Sequence, residues 1–181
     1  MVAEKFQEPA IKNKILMSAV ASYYLIDTSQ LNELRQNAKI IVKKSLVSKK
    51  VIDSYWDYLA YNATALRRFD GSGYIYGNLF VYLEEQKNID LTRNEYDEIA
   101  TDLINKRGNA HFLFTNKQRT AYNSLLDPTR YLLTDIQQFN RDFSGDEDEG
   151  TARLTLDAIQ VLRDNLNKLQ CDNQILLLIV G

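Results

Sequence analysis

Two segments of the 181-residue chain hold residue types that can work on a phosphate. The first is Arg107-Gly108-Asn109-Ala110-His111. Its histidine, the sole one in the sequence, can move a proton near neutral pH, and Arg107 can hold an anion as its charge builds. Asn109 stands between them as a further polar contact. The second segment runs from Arg67 and Arg68 through Gly71 and Gly73 to Gly77. Its glycines would let backbone N–H groups approach an anion at the start of the next helix, and the two arginines would close on it from upstream. It lacks the preceding strand and ordered glycines of a dinucleotide fingerprint, and it lacks the Gly-Lys-Ser/Thr of a P-loop. Each segment also has a plainer reading. Lys106 and Arg107 complement the dipole at a helix C-terminus that Gly108 ends, and Gly71 and Gly73 break two core helices apart.

The arrangement Arg107…His111 resembles the Arg…His motif of the HEPN superfamily, which is all-helical and includes ribonucleases. The resemblance covers these five residues. Its spacing is shorter than the family's, and Gly108 falls between the two side chains. It implies RNA cleavage by Arg107 and His111, with Asn109 close by.

Cations recur upstream. Arg35, Lys39, Lys43, Lys44, Lys49 and Lys50 lie in a stretch with no acid between Glu33 and Asp53. On a helix Arg35, Lys39 and Lys43 would form one stripe, which suits a phosphate backbone or an acidic protein surface. The same stripe also reads as the solvated side of a helix whose other side carries Leu34, Ala38, Ile41 and Val42. Nine aromatic residues lie between Tyr55 and Tyr82, Tyr58 and Tyr61 among them. Aromatics near arginines can stack on bases, but at helical spacing they more often pack a core or a protein contact. Asp146 to Glu149 lacks the ligand series of an EF-hand and reads as part of a mobile acidic loop over 144–150. One cysteine and one histidine cannot build a Cys/His zinc site, so no metal and no cofactor are expected.

The bulk numbers frame these sites. Apolar residues at 45% and charged residues at 25% match a globular chain. Up to Arg68 there are 11 Lys+Arg against 6 Asp+Glu, and beyond it 11 against 18, so a basic front meets an acidic back. Met1 to Glu8 has no apolar core of a signal peptide, and the apolar run Ile175 to Val180 is far short of the roughly 20 residues that span a bilayer. The expectation is a cytoplasmic protein without membrane contact. With no triad, metal set or phosphate fingerprint, we read it as a non-enzymatic helical interaction module. Its expected partner is a protein or a second copy of itself, with nucleic acid as the alternative through the basic stripe.

The elements that must position these residues read as helices. Apolar residues recur at three- and four-residue spacing. A first helix is expected from Pro9 to about Asp27, a second from Gln30 to about Val47, and a third from Lys49 to Phe69. A fourth runs from Tyr74 to about Gln86. Thr92 and Glu95 suggest a capping box for a fifth that stops at Gly108, and Thr115 and Gln118 a box for a sixth ending near Leu126. Asp127-Pro128 opens a seventh to about Phe143, and the last long one spans Thr151 to Gln170. The tail Gln174 to Val180 is either a buried strand or a docked helical turn. The predicted fold is an all-α, single-domain bundle over 1–181 with about seven or eight mostly antiparallel helices.

Overall fold

In the computed structural model, which describes residues 19–44 and 48–181, helices and strands alternate along the chain. The order is β1 (Ala21–Asp27), α1 (Leu31–Asn37), β2 (Ile41–Lys44), β3 (Lys49–Ile52), α2 (Tyr55–Asn62), β4 (Thr64–Ala65), α3 (Ile75–Lys87), α4 (Asp97–Arg107), β5 (Ala110–Thr115), α5 (Asn116–Tyr122), α6 (Leu133–Ser144), α7 (Glu149–Leu166) and β6 (Gln174–Val180). The expected all-α bundle is corrected to a mixed α/β fold. An antiparallel sheet has the strand order β4-β1-β6-β5, and β2 and β3 form a hairpin of their own.

β6 explains the layering. It pairs along its whole length with β1, from Ala21↔Val180 to Asp27↔Gln174, and on its other side with β5. Ile175 to Val180 are all buried, so helices must cover both faces of the sheet. On one face Leu176, Leu178 and Val180 join Tyr23 and Phe114 in a cluster with Tyr76, Leu79, Phe80 and Leu83 of α3, Ile136 and Phe139 of α6, and Leu162 and Leu166 of α7. On the other, Ile175, Leu177 and Ile179 join Ile26 and Leu113 against Leu31 and Leu34 of α1, Tyr55 and Leu59 of α2, and Leu103 of α4. Each fully buried aliphatic side chain here contributes about 2 kcal/mol relative to exposure.

The helical period misleads where strands are buried on both faces, because such strands show no two-residue alternation. The Pro9 to Ser18 part of the first expected helix lies outside the described residues, and its remainder is β1. The second expected helix ends at Asn37 and gives way to β2, while its final residues 45–47 lie outside the described residues. The third divides into β3, α2 and β4. Thr92 and Glu95 do not cap α4. Asp90 accepts from the Thr92 and Arg93 amides instead, and the helix begins only at Asp97. The acidic segment contracts as well, since α6 runs to Ser144 and Asp148 caps α7 by accepting from the Thr151 amide.

Local signals of other kinds persist. Thr115 and Gln118 make both arms of a capping box on α5. Gly108 ends α4 with a φ of 74°. Asp127-Pro128 opens a short 3-10 turn, Pro128–Arg130, ahead of α6. The tail is the buried strand of the two alternatives. Among the described residues no helix is long and apolar enough to cross a membrane.

Candidate functional site

Arg107 and His111 leave from different elements, the end of α4 and the strand β5. The HEPN resemblance implied an all-helical setting, and the sheet overturns that. The two side chains nonetheless meet the same ring. Tyr55 at the start of α2 places its hydroxyl 2.9 Å from His111 Nε2, and the Arg107 guanidinium lies 4.7 Å from the Tyr55 ring centre and 5.7 Å from that of Trp56. Arg107 also grips Asp53 in a two-pronged ion pair at 2.8 and 2.9 Å, a geometry that only a planar guanidinium offers.

The proton positions follow from the partners. His111 Nδ1 stands 2.8 Å from the Asn109 carbonyl, which can only accept, so Nδ1 carries the hydrogen. Nε2 is then the acceptor for the Tyr55 hydroxyl. Burial pushes the imidazole below its ordinary value of 6.5, the Asn109 bond opposes this, and Arg107 adds to it. The Arg107 hydrogen bonds hold the Asp53 carboxyl below its usual range against the opposing effect of burial, with the Tyr55 amide adding to the lowering. His111 is 1% exposed. An acid or base must reach the proton it transfers, and here both ring nitrogens are engaged inside the protein. Asn109 contributes its carbonyl to His111. The group ties together the starts of α2 and β5 and the end of α4.

The Arg67 to Gly77 segment uses several of its donors internally. Arg67 faces Asp164 at 3.4 Å and Arg68 faces Asp70 at 3.8 Å. The amides of Ile75, Tyr76 and Gly77 donate to the Ser72, Gly73 and Tyr74 carbonyls. The Gly73 amide donates to the Ala19 carbonyl at 2.7 Å. A Cβ on Gly71 would come within 2.6 Å of the Phe69 ring, so that glycine is required by packing. The expected aromatic surface divides too. Tyr55, Tyr76 and Tyr82 are core residues, half-buried Tyr58 donates to the Gln30 carbonyl at 3.2 Å, and Tyr61 is 88% exposed.

The basic stripe is rearranged. Arg35 stays on α1 and pairs with Asp102 at 3.0 Å. Lys39 follows the helix, and Lys43 lies on β2, so the three do not share a helix face. The β2–β3 register brings other cations together: Lys43 opposite Lys50, Lys44 opposite Lys49, Ile41 opposite Ile52 and Val42 opposite Val51. Directly opposed residues share a face. Each face of the ribbon therefore carries one lysine pair and one apolar pair. The four lysines are exposed, and among the described residues none of them forms an ion pair. A signal for this was present: Ile41-Val42-Lys43-Lys44 is mirrored by Lys49-Lys50-Val51-Ile52, as two matched strands of a hairpin would be. No protein-family model matches the chain, and no curated protein or solved structure matches it.

Proposed function

We propose that the protein is a non-enzymatic binding module that engages nucleic acid through the β2–β3 ribbon. The observation that carries this is the lysine register, Lys43 opposite Lys50 and Lys44 opposite Lys49. Like charges directly opposed across a strand pair are destabilising. Polyanion binding turns that cost into attraction, because phosphates on either side neutralise both pairs. The shape agrees with the charge. A two-stranded ribbon is an element that the major groove of a duplex admits, and lysines on both of its faces can reach both phosphate walls. Net charge is −2, so the interaction rests on this local patch. A cytoplasmic setting, which a single cysteine fits, would bring the ribbon within reach of RNA and DNA.

Fluorescence anisotropy with labelled duplex DNA, duplex RNA and single strands tests the reading. If all four lysines neutralise duplex phosphates, log affinity should fall against log salt with a slope of about −3.6. The quadruple variant K43A/K44A/K49A/K50A should lose that slope and most of the affinity. Absence of binding to every nucleic acid at low salt, or equal binding by the quadruple variant, would overturn it. Binding of poly-glutamate in preference to nucleic acid would also overturn it and assign the ribbon to an acidic protein partner.

A further inference from the structure

Trp56 is the one tryptophan of the chain, and 45% of it lies in solvent. Side chains of this type are highly buried on average. Here the ring sits on the surface, in the first turn of α2, and the Tyr55 corner holds it in place. The Tyr55 ring meets it edge-on at 5.1 Å, and the Arg107 guanidinium lies 5.7 Å from its centre. Both supports are fixed. Tyr55 is fully buried, and Arg107 is locked by its two-pronged grip on Asp53. Trp56 is therefore an aromatic ring held from behind, with nearly half of its surface open.

Its place relative to the ribbon follows from the chain. Side chains on a helix lean toward its N-terminus, and Asp53 and Ser54 alone join the start of α2 to β3. The contacts agree, since the same Arg107 touches the indole and grips Asp53. Asp53 is three residues from Lys50, so at most about 11 Å of chain separates them. Lys50 stands opposite Lys43. One strand of a few nucleotides can thus lay a base on the ring and phosphates between the lysines. The charge near the ring permits this. Asp53 is matched by Arg107, Asp57 lies about 100° further round the helix, and the exposed residue on Trp56's own stripe is Ala60. Aromatic side chains stack on bases that are unpaired and splayed out of a helix.

We propose that Trp56 stacks an unpaired base, so that the ligand of the ribbon is a duplex continuing into a single strand. This rests on the reading of the ribbon as a nucleic-acid element. Three probes test it: a blunt duplex, the same duplex with an unpaired tail, and the same duplex with an abasic tail that keeps the phosphates and lacks the bases. Trp56 is the only tryptophan, so indole emission reports on this ring alone. The tailed duplex should quench that emission and bind about tenfold tighter than either of the others. Trp56→Ala should bring the tailed duplex down to the affinity of the abasic one. Trp56→Phe, which keeps a smaller ring, should retain part of the gain. Equal affinity for intact and abasic tails, or unchanged emission at saturation, would overturn the proposal. If the blunt duplex then still binds with a lysine-dependent salt slope, the ribbon reading stands and only the stacking falls. Absence of binding to all three probes removes both. Emission that changes with protein concentration alone would assign the ring to a contact between copies and overturn the proposal as well.

Discussion

The Tyr55 corner and the β2–β3 ribbon adjoin in sequence, one ending at Ile52 and the other beginning at Asp53, yet their electrostatics are opposite. In the corner each charge faces its complement: Arg107 grips Asp53, and both His111 nitrogens have partners. In the ribbon lysine faces lysine, with no carboxylate among the described ribbon residues. The contrast teaches that reactive residue types can be consumed by one another inside a fold. The corner holds an Arg, an Asp, a His and a Tyr, and it spends them on holding three elements together. The ribbon holds simple lysines, and none of the four forms an ion pair among the described residues.

The contrast can be broken at either side. Arg107→Ala should have the largest effect, since it leaves Asp53 unmatched and removes the cation that packs on Tyr55 and Trp56. We expect a loss of about 2–3 kcal/mol in urea unfolding with affinity for a blunt duplex unchanged. A variant as stable as the parent would dissolve the distinction. Tyr55→Phe takes the proton away from His111 Nε2 and should cost about 1–2 kcal/mol in the same assay.

Acid titration reads the corner without mutation. The folded His111 lies below its unfolded value of 6.5, so the unfolded chain takes up the proton first. Stability should therefore be complete above about 6.5 and fall as pH drops toward the folded value. Asp53, whose folded value is lowered, adds a loss in the same direction at more acidic pH, below its unfolded value of 3.8. Denaturation midpoints measured across this range check the sign, and a His111→Asn variant should remove the upper part of the slope. A wild-type midpoint that stays flat from pH 6.5 down to the onset of the Asp53 loss would show that the folded imidazole charges normally. The smallest effect is the sharpest. Lys50→Glu turns one opposed pair with Lys43 into an attractive one and should raise stability by about 0.5 kcal/mol while weakening nucleic-acid binding. Binding and stability falling together in that variant would mean that the lysines serve the fold.

Sequence signals were reliable where one side chain decides the outcome. Gly108 ends α4 and Thr115 and Gln118 cap α5, because each acts on its own neighbours, whereas Asp127-Pro128 opens only a 3-10 turn and the helix expected from Pro128 begins at Leu133. Thr92 and Glu95 fit the same pattern yet cap nothing, since Asp90 reaches the Thr92 amide first. Period failed at β1 and could not decide β6. Tyr23 and Leu25 go to one face and Tyr24 and Ile26 to the other, and both faces are covered. The lysines were noticed as cations, but the helix assumed for them joined Lys43 to Arg35 and Lys39 when the hairpin joins it to Lys50. Spacing alone leaves open whether Arg107 and His111 converge, and the ring that both contact, Tyr55, lies too far off in sequence for any spacing to suggest it.

The position of β6 has a consequence for biogenesis. β4 and β1 sit on one side of it and β5 on the other, so the two halves of the sheet share no ladder without it. While a ribosome is still making α7, the edges of β1 and β5 have no strand to pair with. Closing them joins residues near position 21 to residues near position 180, a contact order that makes folding slow and leaves sticky edges waiting. Until that strand pairs, the β1 and β5 edges that it covers stay open to pairing with other chains.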